Sequence, residues 1–186
     1  MVTADVHIRP VSEGDWADIM ALEADAYADI TLSEDPDALK SRAQSSPATC
    51  FVLEWEWRTV GYVLALPYPL FSYPDLTRSE EVVHHSRNLH LHDLVIAAPY
   101  RRRGLGRRLL HALTARARAE AYEQISLVAV GGSDAFWSRN GFRARREVEL
   151  PRSYGPQAVY MSKRVLEPVA TGRLETSAAQ GFGGRE

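Results

Sequence analysis

The stretch HLHDLVIAAPYRRRGLGRRLL (residues 90–110) sets two histidines two apart on an apolar run and then wraps five arginines around Gly-Leu-Gly. An apolar strand that feeds a helix through a glycine-rich first turn presents unpaired backbone N–H groups and the positive end of the helix dipole to one point. Such a point suits an anion, phosphate above all. Gly104 and Gly106 remove side chains so that a pyrophosphate can approach the backbone, and Arg101, Arg102, Arg103 and Arg107 add charge. The P-loop ends in Gly-Lys-Ser/Thr, which RRRGLGRRL lacks, and the dinucleotide fingerprint needs a third small residue where Leu109 stands. Strand alternation puts His90 and His92 on one face, and imidazole there accepts a proton near neutral pH.

The elements that must hold these clusters are legible on either side. DVHIRPV reads as a first strand, and SEGDWADIMALEADAY as a helix with Ser12 at its N-cap and Asp15 three residues on. Asp35-Pro36 opens a second helix, stopped by Pro47. TCFVLEWEW and TVGYVLALPY are rich in β-branched and aromatic residues and predict a hairpin that turns at Arg58. From Pro67 to about Arg87 prolines and the aromatics Tyr68, Phe71 and Tyr73 predict a long irregular loop, a length that usually serves function.

NLHLHDLVIAA is then a fourth strand ended by Pro99. A helix starts within Arg103 to Gly106, with Leu105, Leu109, Ala112 and Leu113 at helical spacing. QISLVAV is a buried strand, SDAFWSRNG a short helix between Ser133 and Gly141, and FRARREVEL and AVYMSKRV the last two strands. The order gives one α/β (α+β) domain over residues 1–165, a mixed, mostly antiparallel sheet of about seven strands with helices on both faces. Residues 166–186, low in hydrophobicity and without periodicity, predict a disordered tail.

Composition narrows the function classes. A chain of 186 residues with 45 % hydrophobic and 25 % charged residues is ordinary for one globular domain. Cys50 is the single cysteine, so no intrachain disulfide forms. No apolar signal core or membrane-length run appears, and the cytoplasm is the expected compartment. Residues 12–37 carry nine acids (Glu13, Asp15, Asp18, Glu23, Asp25, Asp29, Glu34, Asp35, Asp37) and no Lys or Arg, whereas 101–108 carry five arginines and no acid. This segregation predicts an anion site near the arginines, and near the acids either a cation site or a solvated acidic helix. Five arginines on one turn within an acidic remainder make a weak duplex footprint, so a small ligand is expected, and neither nucleic acid nor membrane.

RRRGLG resembles the Arg/Gln-x-x-Gly-x-Gly/Ala signature of the GCN5-related N-acetyltransferase (GNAT) family, set between a strand and a helix as that family requires. AFWSRNGF (residues 135–142) resembles the family's second signature, Phe-Tyr-x-x-x-Gly-Phe, and the likeness in element order spans residues 5–165. Within the family, HLHDLVIAAPYRRRG is most similar to the arylalkylamine N-acetyltransferases, which carry a His-x-His pair nine residues before the first basic residue; His92 stands that far before Arg101.

The resemblance implies a GNAT-like domain and an acetyl-CoA-dependent N-acetyltransferase that acetylates a small primary amine by direct attack in a ternary complex. It implies that His90 and His92 relay the amine's proton, that Leu94, Val95 and Ile96 pair by backbone with the pantetheine arm, and that Arg101, Arg102, Arg103, Gly104, Leu105, Gly106 and Arg107 hold the pyrophosphate. Trp137, beside the cofactor, stands where the family often has a tyrosine as general acid, and Tyr154 and Tyr160 are the alternative donors. No metal is expected, an arylalkylamine or polyamine is the favoured acceptor, and a homodimer is compatible with the chain. Two other functions remain open: an acyl-CoA sensor without turnover, and a metal-dependent hydrolase built on the His-x-His pair.

Overall fold

The computed structural model describes residues 5–28 and 32–166; the predicted tail, apart from Leu166, lies outside the described residues. The chain runs β1 (Val6–Pro10), α1 (Trp16–Tyr27), α2 (Pro36–Ser45), β2 (Phe51–Trp55), β3 (Arg58–Pro67), β4 (Asn88–Ile96), α3 (Leu105–Ala119), β5 (Gln124–Ala129), α4 (Asp134–Arg139), β6 (Arg143–Ala144) and β7 (Val159–Arg164). The strands form one sheet in the order β1-β2-β3-β4-β5-β7-β6, antiparallel throughout except for the β4–β5 pair.

Local chemistry explains the first helices. Asp15 accepts from the Ser12 N–H at 2.7 Å and the Ser12 hydroxyl at 2.8 Å, closing a 3-10 turn that leads into α1. Asp35 accepts from the Asp37 N–H at 2.9 Å with Pro36 in the first turn, where its missing N–H costs nothing. On one face of the sheet α1 and α2 cover Val52, Tyr62, Leu64 and Val95; on the other, α3 and α4 cover Leu53, Val63, Ala65, Leu89 and Leu91. Leu109, Leu110 and Leu113 of α3 are fully buried there, each worth about 1.5–3 kcal/mol of burial.

Two expectations are corrected. The hairpin turns at Glu56 and Trp57 (φ 48° and 66°), and Arg58 is already paired with Trp55 in β3. Both turn residues adopt the left-handed conformation without the Asn-Gly signature that would have marked it. The strand predicted over FRARREVEL shrinks to Arg143–Ala144: the Val148 N–H bonds back to the Arg145 carbonyl, and among the described residues no strand pairs with its outer edge.

Two irregularities in β4 create the site. Pairing with β5 covers only Asn88, Leu89 and His90, after which the strands part and the β5-facing edge of β4 is open. Against β3, Leu91 pairs with Ala65 and Asp93 with Leu64, so His92 is an extra residue in a β-bulge.

Candidate active site

The bulge resets the alternation of β4. Leu89 and Leu91 face α3, but so do Leu94 and Ile96, an offset of three residues that an unbroken strand forbids. His92 and Asp93, adjacent in sequence, therefore both line a pocket on the α1/α2 side with Glu23, Tyr27, Glu34 and Tyr154. Val128 and Val130 close the pocket from the β5 side of the divergence.

Each carboxylate there is positioned by a separate element. Glu23 and Tyr27 stand four apart on α1 and share a face. Glu23 is 3 % exposed and accepts from the Ser33 hydroxyl at 2.6 Å and the Glu34 N–H at 2.7 Å, which fixes the approach to α2. Glu34 receives the fully buried Arg42 guanidinium through Nη2 at 2.6 Å and Nε at 3.1 Å. Arg42 also donates to Glu80 at 2.5 Å and to the Asp75 and Arg78 carbonyls, tying the 68–87 loop to α2.

Charge states follow from these contacts. Burial pushes the Glu34 carboxyl up, but His92 and Arg42 outweigh it and hold it at about 2. An ionised carboxylate only accepts, so His92 Nε2, 2.6 Å from Glu34 Oε2, carries the proton and Nδ1 is left as the basic nitrogen. Burial raises Asp93 to about 6, moderated by the Tyr27 and Tyr62 hydroxyls that donate to it. The His90 ring centroid lies 6.5 Å from that of His92, but His90 is 1 % exposed, shares a 3.0 Å hydrogen bond through Nδ1 with Ser126 Oγ, and has its pKa lowered well below the ordinary value, chiefly by burial. It does not line the pocket.

Across the sheet, Leu94, Ile96, Arg101, Arg102, Gly104, Leu105, Gly106 and Arg107 line a groove completed by Ser133, Phe136, Trp137 and Arg139. Gly104 caps α3 at φ 77°, and the Arg108 N–H closes the first turn onto its carbonyl at 3.1 Å. The N–H groups of Leu105, Gly106 and Arg107 thus precede the helix's own ladder. A Cβ on Gly106 would meet Leu94 at 3.6 Å and Ile96 and Phe136 at 3.7 Å, filling the space between β4 and α4. The Ala97 N–H bonds to Val60 of β3, so alternation turns the Ile96 backbone to the open edge, where its carbonyl accepts Arg101 Nε at 2.9 Å.

One side chain expected in the groove lies apart from it: the Arg103 guanidinium stacks over Trp55 at 5.2 Å and Tyr100 at 5.9 Å. Val95, expected to contribute its backbone, buries its side chain on the opposite face with Trp16 and Ile19. Trp137 is 7 % exposed and donates its indole N–H to Ser133 Oγ at 3.2 Å. Tyr154 gives its hydroxyl to the Pro74 carbonyl, and burial raises its pKa. Tyr160 accepts from the Phe71 N–H and is likewise raised by burial. Among the described residues no three His, Cys, Asp or Glu side chains gather as a metal-ligand set.

The profile of the Acetyltransferase (GNAT) family matches residues 16–142, and that settles the family. The chain belongs to the GNAT acetyltransferases. No curated protein sequence matches it. Ard1 from Thermoplasma volcanium is similar over 87 % of this chain and 99 % of its own, at 18 % identity and TM-score 0.68. N-acetylglutamate synthase from Neisseria gonorrhoeae, solved with coenzyme A and N-acetyl-glutamate, is 19 % identical over 89 % of this chain and 36 % of its own, with TM-score 0.68. The PaiA N-acetyltransferase of Thermoplasma acidophilum, solved with coenzyme A, is 15 % identical over 86 % of this chain and 99 % of its own, with TM-score 0.62. At these identities the likeness is one of fold.

Proposed function

We propose that this GNAT protein uses acetyl-CoA to acetylate a small primary amine by direct attack within a ternary complex. The supporting observation is that one open stretch of β4 serves two sites: Leu94 and Ile96 line the groove on one face, His92 and Asp93 the carboxylate pocket on the other.

The groove fits the cosubstrate in its donor set. Its walls are apolar at Leu94, Ile96, Phe136 and Trp137, as a pantetheine arm requires, and its end carries helix N–H groups with Arg102 and Arg107 for a pyrophosphate. When bound, acetyl-CoA supplies a thioester whose carbonyl carbon takes the amine's electron pair while coenzyme A leaves as thiolate.

The chain's own residues handle charge and protons. An alkylammonium with a pKa of about 10.4 arrives protonated, and Glu23, Glu34 and Asp93 attract it. His92 takes the proton at Nδ1, directly or through water, while Glu34 holds the ring in the required tautomer. The Leu94 or Ile96 N–H on the open edge supplies a donor for the developing oxyanion. A thiol pKa of about 8.5 lets the thiolate depart at modest cost near neutral pH, so Trp137 acts as a wall. Tyr27, Leu32, Leu76 and Tyr154 add apolar and aromatic surface around the carboxylates, which suits an arylalkylamine or polyamine.

Release of coenzyme A across a panel of amines tests this. Cationic primary amines should support turnover and tertiary amines should not. Binding of acetyl-CoA without turnover on any amine would assign a sensor instead.

A further inference from the structure

Away from both halves of this site, α3 ends beside the β6–β7 edge of the sheet, and a second concavity opens there between Arg118, Arg143, Arg145, Ser162, Lys163 and Arg164. Arg107 in the groove and Arg118 here are eleven residues apart on α3, about 16 Å along the helix axis. Among the described residues five cations line the cleft and no acidic residue does. Among the described residues none of the five pairs with a carboxylate, although the protein as a whole has a net charge of −2.

Two of these cations are held in place. Arg118 donates its Nε to the Val165 carbonyl at 2.9 Å, and Arg145 donates its Nε to Ser162 Oγ at 3.0 Å. Each guanidinium is thus anchored by its inner nitrogen and keeps its terminal nitrogens for a ligand. The Lys163 ammonium sits 4.8 Å from the Phe142 ring centroid, half-buried. Burial lowers its pKa and Arg118 adds repulsion. Like charges crowded into a concavity repel one another, and a multiply charged anion would relieve that repulsion while using the preset forks.

We propose that this cleft is a second anion site that binds a polyphosphate group, carried on a small molecule or free, through the terminal nitrogens of Arg118 and Arg145 and the Lys163 ammonium. Phosphate oxygens match the fork of each guanidinium, and linked phosphates supply enough charge for several cations at once.

Calorimetry with inorganic tripolyphosphate tests the site in the groove variant Arg102→Gln/Arg107→Gln, which has lost the arginines of the groove's own pyrophosphate site, and in the same background with Arg118→Gln/Arg145→Gln added. The groove variant should still bind tripolyphosphate, and adding the cleft changes should weaken that binding about tenfold or more, given the worth of a charge-assisted hydrogen bond. A control variant, Arg58→Gln/Arg78→Gln, removes the same charge from exposed positions and should not weaken binding. Equal affinity with and without the cleft changes, no binding in the groove variant, or equal loss in the control would each overturn the proposal. ADP should bind the same cleft, marking a nucleotide-borne source, or fail while tripolyphosphate binds, marking a free one; either supports a polyphosphate site. Citrate binding as tightly as tripolyphosphate would overturn the phosphate preference.

Discussion

The Glu34 carboxylate joins an imidazole and a guanidinium in opposite directions: Oε2 lies 2.6 Å from His92 Nε2, and Oε1 lies 2.6 Å from Arg42 Nη2. His92 is thereby fixed in one tautomer by a carboxylate that is itself fixed from α2. Glu34→Gln should lower kcat on the order of tenfold or more while acetyl-CoA affinity is unchanged, since general-base catalysis is worth about 10²–10⁴ and depends on the oriented ring. Steady-state kinetics alongside calorimetry checks it.

The same carboxylate predicts an acid limit to stability. Its pKa is about 2 in the fold against the ordinary 4.5, so its contribution is present above pH 4.5 and is lost as pH falls towards 2. Thermal melts of the wild type should therefore decline over that window more steeply than those of Glu34→Gln.

The two histidines should separate. His92→Gln should reduce turnover near neutral pH and recover at high pH, where free amine is abundant. His90→Gln should act mainly on stability, because His90 is buried against Ser126 and does not line the pocket. A pH–rate profile and a melting curve for each variant distinguish the two roles.

Asp93 predicts a pH dependence of cation binding. Held at about 6 by burial, it is neutral below that pH and charged above it. A quaternary ammonium analogue, whose charge is fixed, should bind more tightly as pH rises through 6 in the wild type and show no such step in Asp93→Asn. The sign reverses for stability. A raised carboxyl favours the fold fully below its unfolded pKa, and that part is lost as pH rises through 6.

Much of this was legible in the sequence, and the exceptions have physical causes. Element order, the two glycines at the start of α3 and the helix around Trp137 follow from local chemistry, which short windows contain. The bulge at His92 does not, because it is set by the pairing of Leu91 and Asp93 with adjacent residues of β3. It hid Asp93, which simple alternation sends to the opposite face from His92. Glu23 and Glu34 stand in the sequence only as charges within an acidic region, and Arg42 and Glu80 as charges outside it; their convergence is made by tertiary packing of α1, α2 and the 68–87 loop. Arg103 was grouped with its neighbours by spacing, yet Trp55 on a distant strand captures it.

In the proposed mechanism the open stretch of β4 separates acetyl-CoA on the α3/α4 face from proton transfer on the α1/α2 face. Calorimetric titration of acetyl-CoA into Gly106→Val and His92→Gln tests it most directly. A side chain at Gly106 projects between Leu94, Ile96 and Phe136, so Gly106→Val should abolish binding while the protein stays folded, and His92→Gln should bind as the wild type does. Unchanged affinity in Gly106→Val, or its loss in His92→Gln, would contradict the account.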